Sequence, residues 1–514
     1  MDARLRSFLL DPSSYHHAVE AVEHIETHIS EIFLAGPQAY KIKKPLKLDF
    51  LDFSTLEKRR FYCERELKLN RRFAPELYEE VVAITDKEGS YAFGGEGRAA
   101  EYAVKMKRFD DNSLFTELLS RGLLTDKLLS EVVMQIAAFH SRAEHTPKFW
   151  GFDEVSRIVR ENIAGIKKDG AEIVDLHLVE RLNTLFESEL LTLKELIERR
   201  RQTSVKSLHG DLHLRNIALL EGQPVIFDGI EFSDELSCCD VSADLAFLLM
   251  DLTYRGAPDL SNLALNDYLE NSGDYEGTRL LPLYLSYRAA VRCKISCIEH
   301  ATLEEPGRRS HAAHSAVSHL ELALKFILKD TPRVIAIGGL SGSGKTTLGR
   351  AISRIVNGVH LRSDVIRKQL LGLHPLTKAP ESAYSPEITT RTYEAMRRYA
   401  IPALEAGYSV VLDAVHMNPA EREAAEGVAR KFKIPFLGIW CSTDIATARE
   451  RVSARTRDAS DADQSVIEKQ FQQQCGEMKW KVIDTRLSLN KLHSLAQSVI
   501  GGELCRDKGQ SIKE

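Results

Sequence analysis

The stretch Gly339-Leu340-Ser341-Gly342-Ser343-Gly344-Lys345-Thr346 follows directly on the apolar run Val334-Ile335-Ala336-Ile337. No other feature constrains the fold as strongly, because a loop of this composition needs a buried strand before it and a helix after it. The glycines let successive backbone N–H groups curl around a β-phosphate, Lys345 is spaced to meet the β/γ oxygens, and the Thr346 hydroxyl is spaced to ligate Mg²⁺. The helix beginning near Thr347 adds its positive N-terminal end. The expected ligand of residues 339–347 is a nucleoside triphosphate, ATP with Mg²⁺.

A chain of 514 residues exceeds what one core supports, so two or three domains are expected. The formal charge of −5 offers no excess of cations to a nucleic-acid backbone, which disfavours nucleic acid as a partner. Eight cysteines with no C-x-x-C spacing read as buried thiols of a reducing compartment. The N-terminus has no apolar stretch before a cleavage site, and no apolar run approaches the roughly 18 residues of a membrane span. The expectation is a cytoplasmic protein with no membrane segment.

Residues 29 to 50 alternate around Gly36-Pro37, predicting a hairpin with Ile32-Phe33-Leu34 on one arm and Tyr40-Lys41-Ile42-Lys43 on the other. A charged helix is predicted from Ser54, a capping-box candidate, to about Phe73. Val81–Ile84 and Tyr102–Met106 read as further strands, 113 to 201 as helical, 205 to 232 as loop and hairpin, and the rest to about Leu328 as helices. Lys329-Asp330-Thr331-Pro332-Arg333 is the predicted boundary between a domain of residues 1–329 and one of 333–500, with a polar tail at 501–514. Beyond it, strands at 334–338, 358–361, 408–412 and 434–440 alternate with helices, which predicts an α/β domain with a parallel, doubly wound sheet.

The segment His209-Gly210-Asp211-Leu212-His213-Leu214-Arg215-Asn216 sets a carboxylate and an amide five residues apart, and Val225-Ile226-Phe227-Asp228 follows. Kinase-type chemistry needs these parts: Asp211 to orient an attacking hydroxyl and accept its proton, Asn216 to hold Mg²⁺, and Asp228 to bridge metal and phosphates. On these motifs residues 25 to about 300 resemble the aminoglycoside phosphotransferase family, small-molecule kinases with the protein-kinase fold. The resemblance implies an α+β domain with a small lobe over about 1–110 and a helical lobe over about 111–329. It also implies that His209 braces the loop, that Asp240–Ala246 begins a buried helix, and that a strand lysine pairs with a helix glutamate. Lys41 and Lys43 share one strand face, with Glu64 and Glu66 available; the favoured pair is Lys43 with Glu66. No glycine-rich loop of the protein-kinase type is present, which leaves Gly36-Pro37-Gln38 as the turn to cover phosphates.

In the last third, Asp364 in Arg362-Ser363-Asp364-Val365-Ile366-Arg367 lies nineteen residues after Lys345. A carboxylate at that strand end can accept an acceptor hydroxyl's proton, and Arg367 can neutralise phosphoryl charge. Asp413 closes the strand Tyr408–Leu412 at a place from which it reaches the Mg²⁺ shell. The predicted helix Ala446–Arg457 carries Arg449, Arg451, Arg455 and Arg457, and Arg451 and Arg455 lie four residues apart on one face, where like charges repel unless an anion lies between or beside them. This pattern resembles the arginine lid of P-loop small-molecule kinases, a group including gluconate and shikimate kinases, zeta toxins and polynucleotide kinases. It covers about residues 333 to 490.

Together these readings imply two ATP sites, each passing a γ-phosphoryl group to a hydroxyl of a small molecule, with Asp211 and Asp364 as bases. One alternative makes the first half a nucleotide sensor that regulates the second; another is 5′-hydroxyl phosphorylation of a nucleic acid. Asp251, Asp259, Asp267 and Glu270 show no pattern that assigns an acceptor.

Overall fold

The computed structural model describes residues 2–48, 51–454, 458–473, 475–487, 491 and 494–501. Their contacts divide the chain into two compact units, one of residues 1–135, 139–158 and 194–251, the other of 136–138, 159–193 and 252–514. The helices between 258 and 327, which the sequence reading assigns to the first domain, stand with the second unit.

In the first unit a six-stranded antiparallel sheet runs in the order Val22–Glu26, Ser30–Ala35, Gln38–Lys43, Arg98–Lys107, Tyr78–Lys87, Ser90–Phe93. Its alternation follows the two-residue period of a strand. Tyr40 and Ile42 face a core with Phe33, Ile84 and Phe93, on which the N-terminal helix residues Leu5 and Leu9 pack. Ala39 lies on the other face, in the cluster holding Cys63 of the helix Leu56–Asn70. Lys41 and Lys43 share that second face, so both ammonium groups meet the helix. Thr55, not Ser54, caps this helix by accepting the Lys58 N–H; the Ser54 hydroxyl donates to Asp52 instead.

In the second unit a five-stranded, all-parallel sheet runs Val359–Arg362, Val410–Asp413, Val334–Gly339, Phe436–Ser442, Lys481–Asp484. The central strand is buried along its whole length, as expected of a parallel sheet covered on both faces. Ile335, Ile337, Leu348, Ile352, Val411 and Ile439 form the core between this sheet and the helix Lys345–Ile355. The two fold classes read from the sequence are both present: an α+β first unit and an α/β second unit. The fifth strand was not anticipated, because only Ile483 of its four residues is buried.

Candidate functional site

The loop after the strand Val205–Ser207 carries the first constellation. Gly210 is left-handed, with φ of 81°, and its N–H and that of His209 both donate to Asp244. Leu214 N–H donates to Asp251 at 3.0 Å, so two acids of the following helix fix the loop's backbone. His209 is buried and bridges two segments: its Nδ1 accepts the Asp211 N–H, and its Nε2–H donates to the Phe227 carbonyl at 2.9 Å. Burial lowers its pKa, which keeps the imidazole in this neutral, bridging form. The expected bracing role of His209 therefore has a geometry.

Asn216 Nδ2 donates to Asp211 Oδ2 at 3.1 Å and to the Asp211 carbonyl at 2.9 Å, and the Asn216 carbonyl accepts the Phe227 N–H. Asp228 follows immediately. It is held in the left-handed region at φ 62°, with its N–H on the Tyr78 hydroxyl and the next N–H, of Gly229, on Asn70 Oδ1 at 2.7 Å. Left-handed backbone at a non-glycine residue costs energy and persists where surrounding contacts fix it. Here those contacts aim a carboxylate that keeps 42% of its side-chain surface open.

Both strand lysines meet Glu66, and they do so differently. Lys41 Nζ lies 2.8 Å from Glu66 and 2.5 Å from Asp228. Lys43 is fully enclosed, 2.7 Å from the other Glu66 oxygen and paired with Glu231. Burial opposes ionisation of Glu66, yet Lys41 and Lys43 outweigh it and hold the carboxyl at about 2. Glu64 turns outward to Arg60. The expected Lys43–Glu66 pair is present, but Lys41 is the lysine that shares Glu66 with the metal-binding candidate. The Gly36-Pro37 turn lies at the far end of the strand, where the Pro37 carbonyl accepts the Arg108 N–H. Ser30 pairs with Lys43, so the turn nearest the lysines is residues 27–29.

In the second unit Gly339, Gly342 and Gly344 all adopt positive φ. A Cβ on Gly342 would stand 2.6 Å from the Ala448 carbonyl, so only glycine lets the loop pass there. The loop is braced from outside: Gln470 Oε1 accepts the Ser341 N–H, the Thr485 hydroxyl donates to the Ser343 carbonyl, and Arg451 donates to Gly342 and Thr485 carbonyls. Lys345 is 8% exposed at the helix start, followed by Thr346 and Thr347. The Ser343 hydroxyl is buried without a protein partner, which fits a loop built to receive phosphate oxygens.

Asp413 closes its strand as expected, buried, with Oδ2 3.2 Å from His360 Nε2. Burial opposes its ionisation, but His360, Lys345 and Arg362 hold it below the ordinary carboxylate range. Asp364 lies in the first turn of the helix Ser363–Leu370 without acting as its cap. Arg367 is buried, donating to the Ala383 carbonyl and to Thr389, with its guanidinium 4.9 Å from the centre of the Tyr384 ring. These contacts make it a tie for residues 383–389. Arg451 grips the loop rather than standing clear of it, and Arg455 lies outside the described residues.

Several residues were not singled out from the sequence. Glu231, Asn70 and Tyr78 support Asp228 and the lysines, while His360, Gln470 and Thr485 support the second loop. Glu270 and Asp251, acids without a sequence pattern, have defined partners in Arg362 and the Leu214 N–H. Among the described residues no group of three or more His, Cys, Asp or Glu could cage a metal. Mg²⁺ instead is commonly held by one or two carboxylates together with substrate phosphates, which suits Asn216 with Asp228 and Thr346 with Asp413.

Residues 334–477 match the family model of the AAA domain, within the half in which the resemblance to P-loop kinases lies. The chain is 31% identical over 446 residues to an uncharacterized protein of Mycobacterium tuberculosis (H37Rv), covering 85% of this chain and 87% of that protein. A Mycobacterium bovis protein matches to the same extent. Among solved structures, a gluconokinase from Sinorhizobium meliloti is similar at 19% identity and a TM-score of 0.27, over 36% of this chain and 99% of that one. A choline kinase from Cryptosporidium parvum is similar at 15% identity and a TM-score of 0.39, over 59% and 88%.

Proposed function

The chain belongs to one family with these mycobacterial proteins, and on that premise we propose that it is an ATP-dependent phosphotransferase with two nucleotide sites acting on small-molecule hydroxyls. The observation that carries the proposal is the convergence, in the first unit, of Asp211, Asn216 and the chain Asp228–Lys41–Glu66, residues drawn from a strand, a helix and two loops. A purely structural ion-pair network has no need of a half-open Asp228 at its end, nor of the half-buried Asp211 carboxylate held by Asn216.

In the first site Asp211 accepts the proton of the acceptor hydroxyl as its oxygen attacks the γ-phosphorus and the bond to the β-phosphate oxygen breaks. Asn216 orients Asp211 through its amide, and Lys41, anchored by Glu66, is the residue we assign to the phosphates. In the second site Asp364 takes the part of base and Lys345 stabilises the charge that builds on the transferred group. Asn216 with Asp228 in the first site, and Thr346 with Asp413 in the second, would hold Mg²⁺, which would supply neutralisation of the phosphate charge. Turnover of an identified acceptor should fall at least a hundredfold in Asp211→Asn at the first site and in Asp364→Asn at the second. Full turnover in both variants would dismiss these bases.

The 27–29 turn favours a second reading. It is a tight turn in which the Thr27 N–H is bound to the Ser30 carbonyl, and it holds no glycine to wrap phosphates in backbone N–H groups. A first unit that binds ATP without transferring phosphate, and so acts as a sensor, would match it. ATP binding that survives Asp211→Asn, with no product that depends on Asp211, would establish that reading over the first.

A further inference from the structure

The strand Val359–Arg362 lies at the edge of the parallel sheet. Its Val359 N–H bonds inward, to the Ser409 carbonyl, so the Gly358 carbonyl and the His360 N–H face outward, where an edge strand has no partner strand. The helix Pro258–Ser272 supplies one. Asn262 Nδ2 donates to the Gly358 carbonyl at 3.0 Å, Asn266 Nδ2 donates to the same carbonyl at 3.1 Å, and Asn266 Oδ1 accepts the His360 N–H at 2.7 Å. Glu270 meets the Arg362 guanidinium at 3.1 Å. These three residues recur every fourth position, about 6 Å of helix rise, against alternate strand residues about 6.6 Å apart. One helix face is therefore spaced to read the strand edge, with the Asn266 amide standing in for a peptide group.

The strand so held carries His360 inward. Its imidazole is buried against Gly349, where a Cβ would lie 2.6 Å from Nε2, and it reaches Asp413 Oδ2 at 3.2 Å. Gln369, on the helix that follows the strand, donates back to the Leu269 and Glu270 carbonyls, so the grip is mutual. The helix 258–272 lies outside the 334–477 range of the AAA-domain match.

We propose that this helix completes the P-loop site: Asn266 and Glu270 fix the edge strand, and His360 is thereby a positioning residue that orients Asp413. The proposal rests on the reading of Lys345 and Asp413 as an ATP and Mg²⁺ site. The experiment uses the full chain in an Asp211→Asn background, so that ATP turnover reports the second site alone. Asn266→Leu should speed hydrogen exchange at the His360 amide about tenfold, the loss of one hydrogen bond. It should also raise the Mg²⁺ concentration for half-maximal turnover about tenfold, as expected when a metal ligand loses its support. His360→Leu should reproduce the Mg²⁺ shift, and His360→Gln, which keeps a donor, should recover most of it. Gly349→Ala, which crowds the imidazole from the other side, should shift Mg²⁺ dependence without changing exchange at the His360 amide. Unchanged exchange in Asn266→Leu, or faster exchange with wild-type Mg²⁺ dependence, would overturn the proposal. Turnover that survives Lys345→Ala would instead defeat the reading of the site, and the exchange measurement would then decide the grip of the helix by itself.

Discussion

Replacing Lys43 by methionine should unfold the first unit more easily by about 3–5 kcal/mol, because the change leaves two buried carboxylates, Glu66 and Glu231, facing a gap where a shared ammonium stood. Lys41→Met should cost far less, about 1 kcal/mol, since Lys43 still neutralises Glu66 and the half-open Asp228 can be solvated. Activity should divide the other way. Lys41 touches Asp228 and keeps 13% of its side-chain surface open, whereas Lys43 has none to offer a nucleotide. Lys41→Met should therefore abolish ATP binding in a folded first unit.

The double variant Lys43→Met/Glu231→Leu removes the buried pair together and leaves Glu66 with Lys41. It should recover most of the lost stability, since a buried ion pair exchanged for apolar groups is near neutral. Chemical denaturation followed by tryptophan emission separates the units, because Trp150 belongs to the first and Trp440 and Trp480 to the second. Displacement of a fluorescent ATP analogue in a Lys345→Ala background measures binding at the first unit. A Lys43→Met variant within about 1 kcal/mol of wild type whose first unit no longer binds ATP would refute the assignment and make Lys43 the phosphate lysine.

Burial lowers His416 from 6.5 to about 4, and its Nδ1 has no protein partner. The unfolded chain therefore takes up that proton first, so the second unit should lose about 3 kcal/mol as pH falls from 6.5 to 4, a slope that His416→Gln should flatten; equal slopes would exclude His416 as the source. Gly342→Ala should abolish ATP binding in the second unit, since φ of 80° and the Ala448 carbonyl both exclude a side chain, and calorimetry that finds wild-type affinity would contradict this. Arg200→Met should destabilise the first unit by about 3 kcal/mol or more by stranding the buried Asp240, measured by the same denaturation.

What the sequence made legible was chemistry local to one segment. The glycines at 339, 342 and 344 announce positive φ in their own neighbourhood, and Asp211 and Asn216 are five residues apart in one loop. The choice between Lys41 and Lys43 was not legible, because both lie on one strand face and the partners that separate them, Asp228 and Glu231, arrive from nearly 190 residues away. Thr55 displaced Ser54 as the cap because Asp52 captures the Ser54 hydroxyl. Arg367 looked free to meet phosphate until Ala383 and Thr389 folded over it. Glu270 shows no assignable pattern in the sequence because its spacing with Asn262 and Asn266 has meaning only beside the strand edge it faces.

The central claim, two phosphoryl-transfer sites in one chain, is tested most directly by supplying ATP and Mg²⁺ with a soluble metabolite extract to wild type, Asp211→Asn and Lys345→Ala, and reading phosphorylated products by mass spectrometry. One product should be lost with each variant and retained with the other. Products that all depend on Lys345 and none on Asp211 would contradict it.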